Sequence, residues 1–285
     1  SVYRGRKPIH WCSHCHTALA EAEIEYSNEV SPAIFVRFEM TTTPAGLESY
    51  EGKMDVAIWT TTPWTLPADQ CVILHPAAEY VAVDGRATIV ARDLVEKCCE
   101  RFGWNNELAC CADGSEWAMT GADLAGNEYK QPIFADQGEI GKFIYADYVT
   151  LEDGTGIVHG APGHGVDDYN AGMKFDIPVV MPVDDDGKFY VGEGIGYGGP
   201  WGGMDVNEAN PEIIKWLDEK GLLILHEDID HSYPHCWRCH EPVIFRATTQ
   251  WFVSMDKTGI REKASNAIKE DVAWYPSWAS NRIGA

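Results

Sequence analysis

The sequence has little positive charge: 22 lysines and arginines stand against 44 aspartates and glutamates, a formal net charge of −22. This balance argues against a protein that holds nucleic acid through a broad basic surface. There is no apolar run of about 18 residues and no apolar signal-peptide core, so no membrane span or leader is indicated. P-loop, G-x-S-x-G and H-E-x-x-H motifs are also missing. A nucleophilic serine and a catalytic metal therefore have no support.

The nine cysteines are an odd number, and two pairs of them are adjacent, Cys98-Cys99 and Cys110-Cys111. This usage is typical of reduced thiols rather than of a secreted disulfide scaffold. We therefore expect a cytoplasmic protein.

The acidic charge is concentrated in the middle of the chain. Residues 1–31 and 226–285 each carry a net −1, which leaves −20 for residues 32–225. The shift predicts three parts: an N-terminal stalk (1–31), an acidic central domain (32–225) and a return segment (226–285). Short β-branched or aromatic runs in the middle part predict strands at 33–38, 54–59, 80–83, 87–90, 143–145 and 156–158.

Helix signals are fewer than strand signals. Apolar spacing predicts helices over 93–102 and 257–270, and Asn210 with Pro211 resembles the start of a helix that Gly221 ends. Asp84-Gly85, between two of the predicted strands, indicates a hairpin turn.

Two C-x-x-C pairs lie near the chain ends, Cys12 with Cys15 and Cys236 with Cys239. Together they offer four thiolates, the ligand set of a closed tetrahedral structural zinc site. Such a site would join the entry and exit of a large insertion and leave no open position for a substrate. A redox role is disfavoured, because neither pair lies within a βαβ unit. The alternatives are two unrelated pairs of buried thiols, or a neighbouring histidine as a ligand: His14, His16, His235 or His240.

A threonine-rich segment follows one predicted strand, at residues 59–69 (WTTTPWTLPAD). Pro63 removes a backbone donor and favours extended geometry at Thr62, so the strand should end there. Three consecutive hydroxyls then lie at a strand end, where they can contact a ligand. The alternative is that threonine is simply a good strand residue and that the prolines shape a turn.

A second polar segment covers residues 154–169 (GTGIVHGAPGHGVDDY). A short apolar strand leads His159 into a glycine-rich loop, and a short helix is expected near Asp167 and Asp168. Glycines let backbone approach a ligand closely, and Asp168 can hold a substrate ammonium. Loop amides can stabilise an oxyanion. For Asp167 we favour helix capping.

Both polar segments, together with residues 233–239 (YPHCWRC) and 250–255 (QWFVSM), closely resemble isoleucyl-tRNA synthetases. The similarity extends over essentially the whole chain. Valyl and leucyl enzymes usually carry Thr-Thr-Arg-Pro where this chain has TTTP at 60–63, which favours the isoleucyl family. The HIGH-type and KMSKS-type ATP motifs are absent, so the resemblance implies the large insertion of the catalytic domain rather than the whole enzyme. In this family the insertion is the editing domain, which hydrolyses misacylated tRNA.

The resemblance implies an α+β fold: a β-rich, barrel-like editing domain with a few peripheral helices, and a small zinc-knuckle stalk built from both chain ends. The implied reaction is hydrolysis of the ester of valyl-tRNA(Ile) by a positioned water, without a covalent intermediate. Asp168 would bind the α-ammonium of valine, while Thr62 and His159 would orient the water and the ester. Further implied substrate contacts are Thr60, Thr61, Trp64, Thr65, Asp69 and His164. The family often has Asn where this chain has Asp69, and an ionised carboxylate cannot donate a hydrogen bond.

The implied partners are the 3′ end of tRNA(Ile), the misattached valine and the rest of the synthetase chain, with the protein a monomer. Zinc is expected as a structural cofactor only. The alternative function is a zinc-stapled tRNA-binding module without hydrolytic activity of its own. A freestanding editing protein is also conceivable, whereas a purely structural zinc scaffold does not explain the two polar segments. The charge of −20 over 32–225 predicts weak tRNA binding by this piece alone.

Overall fold

The structure, a computed structural model, describes residues 2–83 and 85–283, with the side chains of 282 and 283 left undescribed. The chain divides into two compact units, one of residues 8–247 and one that joins the first seven residues to residues 248–285. The described strands are β1 (Val2–Cys12), β2 (Thr17–Leu19), β3 (Ile24–Glu39), β4 (Asp55–Thr60), β5 (Cys71–Leu74), β6 (Glu79–Val83), β7 (Thr88–Ala91), β8 (Ala118–Thr120), β9 (Glu128–Lys130), β10 (Ile140–Tyr145), β11 (Ile157–Gly160), β12 (Leu223–Cys236) and β13 (Ile244–Val253).

The described α-helices are short and few: α1 (Val95–Phe102), α2 (Gly121–Leu124), α3 (Val166–Lys174), α4 (Val206–Glu219), α5 (Ile260–Glu270) and α6 (Ala279–Ile283). Single 3₁₀ turns occur at Glu21–Glu23, Arg92–Leu94, Ala135–Gln137 and Gly199–Trp201, and a longer 3₁₀ helix covers Pro63–Ala68. None of the helices in the described part of the chain is long and apolar enough to cross a bilayer.

A curled mixed sheet forms the larger unit, with its strands in the order β8-β6-β7-β4-β11-β5-β10-β9. β5 and β7 are buried at every position, as expected for strands covered on both faces. Phe38, Tyr129 and Phe143 pack against one another in the core, with Tyr129 fully buried between the other two rings. The predicted β-rich, barrel-like α+β fold is therefore confirmed.

A long antiparallel ribbon leaves this sheet. β3 and β12 pair from Val36 opposite Leu223 to Ile24 opposite Cys236, and β3 also pairs with β4 inside the sheet. The outer half of β3 is mostly exposed, whereas residues 33–36 are fully buried, so one strand serves both the ribbon and the core. Both predicted domain boundaries, after 31 and after 225, fall inside this ribbon, and that division stays a prediction.

The strands predicted at 33–38, 54–59, 80–83, 87–90, 143–145 and 156–158 all lie within or largely within observed strands. β6 and β7 do form a hairpin, although Asp84 of its predicted turn lies outside the described residues. The predicted helix at 93–102 consists of a 3₁₀ turn followed by α1, and Gly103 ends it in the left-handed conformation.

Two helix starts differ from prediction. α4 begins at Val206 because Asp205 is the N-cap, its carboxylate accepting from the Asn207 N–H (2.8 Å), so Pro211 lies inside the helix. Asn210 is not a cap: its side chain accepts from the Trp64 N–H instead. α3 has Gly165 as its N-cap, so Asp167 belongs to the first turn and does not cap.

Candidate functional site

The two polar segments meet at one edge of the sheet. β4 ends at Thr60 and β11 ends at Gly160, and the two strands are parallel neighbours, with Val158 opposite Trp59. The carboxyl ends of parallel neighbours lie at the same edge, so their following loops face each other. Between the loops lies a cavity of about 220 Å³, called here the threonine cavity, lined by Trp59, Thr60, Thr61, Thr62, Thr65, Val158, His159, Ala161, His164 and Asp168.

The threonine hydroxyls form a connected set. The Thr62 N–H donates to Thr60 Oγ1 (3.1 Å), and the hydroxyl oxygens of these two residues are 3.3 Å apart. Thr65 Oγ1 donates to the Thr62 carbonyl (2.7 Å). Thr62 precedes the 3₁₀ helix Pro63–Ala68 but its hydroxyl does not cap it, so this hydroxyl remains directed to other partners.

Asp168 is held in place through both carboxylate oxygens. Its Oδ2 accepts from the Ala161 N–H (2.9 Å) and its Oδ1 accepts from the Tyr148 hydroxyl (2.8 Å). Burial, with the nearby Asp168 charge, raises the pKa of Tyr148, so the phenol stays protonated and donates. A side chain at Gly165 would lie 2.9 Å from the Asp168 carboxyl, so this glycine makes room for the carboxylate.

His159 is fixed by a contact at each ring nitrogen. Nε2 lies 2.8 Å from Thr65 Oγ1, and Nδ1 lies 3.1 Å from Asp69 Oδ1. The Tyr129 hydroxyl donates to the other oxygen of Asp69. Desolvation raises the pKa of Asp69, with the His159 hydrogen bond the largest opposing influence. The imidazole thus presents one edge to the threonine cavity and turns the other towards a buried carboxyl.

His164 and Trp64 pack against each other at the opposite side of the loop. Their ring centroids are 4.8 Å apart in an edge-to-face arrangement, and His164 Nδ1 lies 2.9 Å from the Phe245 carbonyl. The Ala247 N–H donates to the Gly163 carbonyl (2.8 Å), so β13 supports the loop at a second point. The loop that carries His164 is therefore supported by the strand that follows the second cysteine pair.

A larger cavity of about 900 Å³ adjoins the threonine cavity, and Thr61 and Thr62 line both. Trp64 and Tyr233 contribute aromatic surface to it, and α4 supplies one wall. Three carboxylates line this larger cavity: Glu29, Asp218 and Asp228.

The structure brings seven of the residues singled out in the two polar segments to the threonine cavity: Thr60, Thr61, Thr62, Thr65, His159, His164 and Asp168. It places Trp64 in the wall of the larger cavity instead. Asp69 does not line either cavity, because it is fully buried behind His159. Sequence reasoning missed Tyr148 and Tyr129, whose contacts arise from partners 20 and 60 positions away. No local pattern around either tyrosine marks that role.

The four predicted zinc ligands also come together. The Sγ atoms of Cys12, Cys15, Cys236 and Cys239 all lie within 4.8 Å of one another. Cys12 and Cys239 bring their sulfurs to 3.5 Å. Tetrahedral zinc with Zn–S bonds of about 2.3 Å needs sulfurs about 3.8 Å apart, so the set fits the ion. The four cysteines can therefore hold a metal ion.

The two knuckles are built alike. The histidine that follows each pair, His16 or His240, has a left-handed backbone (φ 49° and 61°), which turns the chain back past the sulfurs. Neither ring joins the sulfurs: His16 contacts Asp186 (2.8 Å) and His240 contacts Glu25 (3.0 Å). Burial raises the pKa of Cys12 to about 12, and the hydrogen bond with Cys239 raises that of Cys15. Burial also acts to raise the pKa of Cys236, but hydrogen bonds, first those from the N–H groups of Cys239 and Arg238, outweigh it and bring that pKa to about 7. Of these three thiols, Cys236 is therefore the one that most readily supplies the thiolate that a metal needs.

Comparison of the sequence with those of known proteins places the chain in a family. A family model described as tRNA synthetases class I (I, L, M and V) matches residues 1–285. A curated relative from Desulfovibrio desulfuricans, named isoleucine–tRNA ligase, is 44% identical over 293 residues, which cover 99% of this chain and 29% of the relative. A relative of the same name from Fervidobacterium nodosum is 45% identical over 287 residues, covering 100% of this chain and 29% of the relative. The chain thus spans less than a third of the length of these relatives.

A solved structure described as the crystal structure of GlLeuRS-CP1 superposes on this chain with a TM-score of 0.51 at 14% identity. The superposition covers 68% of this chain and 98% of that one, which shows a shared fold. Because the family model matches from the first residue to the last, the chain belongs to the class I tRNA synthetases of the I, L, M and V group.

Proposed function

We propose that this chain is the editing domain of an isoleucyl-tRNA synthetase and that it hydrolyses the ester of valyl-tRNA(Ile). The observation that carries the proposal is the threonine cavity, where the Asp168 carboxylate, several threonine hydroxyls and His159 line one small space. The two curated relatives named isoleucine–tRNA ligase support the assignment.

The need for such a cavity follows from binding energetics. One methylene more or less in an apolar pocket changes the binding free energy by only about 1–3 kcal/mol, a limit for which isoleucyl-tRNA synthetases are the standard illustration. A second site therefore has to accept valine and exclude isoleucine by size. The small volume of the threonine cavity, about 220 Å³, and its lining by Trp59, Val158 and the threonines suit a site that selects by size.

In the proposed mechanism Asp168 binds the α-ammonium of the misattached valine. An ionised carboxylate has about four acceptor positions. The Ala161 N–H and the Tyr148 hydroxyl use two of them, one on each oxygen. The remaining positions are free to accept from an ammonium, and the two fixed donors hold the carboxylate in one orientation. The Ala161 amide is thereby engaged and does not serve as an oxyanion donor.

The attacking nucleophile is a water that hydroxyl groups orient, rather than a side chain of the protein. Thr60 and Thr62 hold their hydroxyl oxygens 3.3 Å apart at the cavity wall. His159 reaches the same wall through Thr65. A water bound among these groups would be placed against the ester carbon, and positioning of this kind can supply a large share of the rate. No covalent intermediate is needed.

The terminal nucleotide of the tRNA would occupy the larger cavity, which meets the threonine cavity at Thr61 and Thr62. Tyr233 offers aromatic surface there for a base. Trp64 also lines this cavity, but it is only 4% exposed and its ring packs on His164. Of the charged residues that line this cavity, three carboxylates (Glu29, Asp218 and Asp228) outnumber the one lysine, Lys215, so the lining as a whole opposes phosphates. This piece should therefore bind tRNA weakly, with most phosphate contacts left to the rest of the synthetase chain.

Zinc would be held by Cys12, Cys15, Cys236 and Cys239, and its chemistry there is structural: four thiolates close the coordination sphere. The surrounding residues position and shield the four thiols. β1 and β12 each end in one buried cysteine, and the apolar side chains of Leu19 and Val243 cover the site. The cytoplasmic location and the monomeric state stay predictions.

The test is a deacylation assay with valyl-tRNA(Ile) and isoleucyl-tRNA(Ile), at high enzyme concentration because binding should be weak. We expect release of valine and little release of isoleucine. Saturable tRNA binding without release of either amino acid would favour the binding-module alternative. Equal release of both amino acids would refute the size-selective role of the threonine cavity.

A further inference from the structure

A buried chain of hydrogen bonds runs behind the threonine cavity. It begins at the Tyr129 hydroxyl, passes through Asp69, His159 and Thr65, and ends on the Thr62 carbonyl. Tyr129 and Asp69 are fully buried, and His159 and Thr65 are 5% exposed. Because these groups are buried, their hydrogen-bond partners are mostly other protein groups and not water. The position of each proton along this chain of hydrogen bonds can therefore be worked out from the donors and acceptors.

The count starts at Thr62, whose carbonyl can only accept. Thr65 Oγ1 lies 2.7 Å from that carbonyl, so the single hydroxyl proton of Thr65 is used there. The 2.8 Å contact between Thr65 Oγ1 and His159 Nε2 then needs a proton from the ring. His159 is therefore protonated at Nε2 and donates to Thr65.

The other ring nitrogen needs a proton as well. Nδ1 of His159 faces Asp69 Oδ1 at 3.1 Å, and two bare acceptors at that distance would repel. Tyr129 donates to the second oxygen of Asp69, and burial raises the pKa of Tyr129, so this phenol keeps its own proton. One proton must lie between Nδ1 and Oδ1, in addition to the proton on Nε2.

We propose that Asp69 and His159 hold this proton jointly at neutral pH, and that it keeps His159 a donor to Thr65, which fixes the threonine cavity. The inference rests on the proposed function. Asp69 is then a positioning residue that acts through His159 rather than a substrate contact. His159, with both nitrogens engaged, is a hydrogen-bond donor and not a general base.

The remaining titratable groups around the pair supply no positive charge. Tyr129 faces Asp69 from β9, Cys71 lies near it on β5, and the Asp168 charge on α3 acts on the same carboxyl. Within the described residues, Asp69 forms its ion pair with His159. A pair with one proton fewer would therefore leave a buried carboxylate that is hydrogen-bonded by Tyr129 and His159 but has no counter-charge, which is costly.

Loss of one of the two protons counted above would rearrange the cavity wall. The proton that remains would lie on Nδ1 and be donated to the Asp69 carboxylate, and Nε2 would become a bare acceptor. Thr65 would then turn its hydroxyl from the Thr62 carbonyl to the ring. An asparagine at 69 keeps the original pattern without a titratable proton, because its amide donates to Nδ1 and its oxygen accepts from Tyr129.

The test is ring ¹⁵N NMR of His159 from about pH 6 to about pH 9, with signals assigned by their absence in His159→Gln. In the unmodified protein we expect Nε2 to carry a proton at neutral pH and to lose it as the pH rises. In Asp69→Asn we expect Nε2 to stay protonated on a neutral ring throughout. Asp167→Asn, an exposed carboxylate on α3, is the charge-matched control and should behave like the unmodified protein.

A second readout is the pH profile of valyl-tRNA(Ile) deacylation, corrected for spontaneous hydrolysis. The enzyme-dependent rate should fall at high pH in the unmodified protein. In Asp69→Asn we expect the rate to depend less on pH over the same range. A bare Nε2 at neutral pH, or the same titration in Asp69→Asn, would overturn the inference. The NMR measurement needs no tRNA, so a protein without hydrolytic activity would refute the proposed function while leaving the proton arrangement to be judged separately.

Discussion

Replacement of Asp168 by asparagine removes one charge from the threonine cavity and very little volume. The amide oxygen can still accept from either the Ala161 N–H or the Tyr148 hydroxyl, but the amide nitrogen cannot accept from the other donor. Asp168→Asn therefore keeps much of the local structure and loses the carboxylate that is proposed to bind the α-ammonium. Asp168→Ala differs, because both donors lose their partner.

The expected magnitudes separate binding from stability. A hydrogen bond to a charged group is worth roughly 1.5–3 kcal/mol, which corresponds to a loss of about 10- to 150-fold in kcat/KM. The single unsatisfied donor should reduce the free energy of unfolding by about 1 kcal/mol in Asp168→Asn. In Asp168→Ala the buried Ala161 N–H and the Tyr148 hydroxyl are both orphaned, so the loss should reach about 2 kcal/mol or more.

The assay is release of valine from valyl-tRNA(Ile), run beside urea unfolding of each variant. Asp167→Asn makes the same charge change at an exposed position of the same helix and should leave both measurements unchanged. If Asp168→Asn deacylates within about twofold of the unmodified protein, the ammonium assignment fails. If Asp167→Asn loses as much activity as Asp168→Asn, the effect reflects general charge and not the contact.

Three further predictions concern the metal, the loop and pH. Cys236→Ser should lower bound zinc, measured by mass spectrometry, and lower the Tm, whereas Cys110→Ser outside the cluster should do neither; normal zinc content in Cys236→Ser would contradict the ligand set. Gly163→Ala would place a methyl group 1.9 Å from the Val180 carbonyl, so we expect a loss of roughly 1–3 kcal/mol in urea unfolding together with slower deacylation. Because burial raises the pKa of Asp69, its contribution to stability is present at low pH and is lost as the pH rises through the folded-state pKa. Asp69→Asn should therefore show a shallower decline of Tm as the pH rises above the ordinary aspartate pKa of about 3.9, and parallel curves would refute this.

The structure also bears on what the net charge implies about nucleic-acid binding. The −22 argued against nucleic acid as a partner. The acidic residues at the larger cavity, such as Asp218 and Asp228, agree with weak binding of phosphates by this piece. They do not oppose the proposed substrate, whose reacting end is a neutral ribose ester with an ammonium that the Asp168 carboxylate would attract.

The sequence by itself determined the local features. Apolar runs placed most of the strands of the sheet, but β4 ends at Thr60, two residues before the end at Thr62 that Pro63 predicted, and Thr62 (φ −130°, ψ 72°) is not extended. The spacing of the two C-x-x-C pairs identified a four-cysteine set that does assemble. These features depend on neighbouring residues, so they can be derived from the order of residues alone.

Only the tertiary structure decided which groups meet. The parallel pairing of β4 with β11 brings Thr65 to His159 across 94 positions, and the register of β9 brings Tyr129 to Asp69 across 60. Asp69 was expected to contact the substrate, but in the folded chain it is fully buried behind His159. Hydrogen bonds between distant residues depend on strand register and exclusion of water, and neither can be derived from a local pattern.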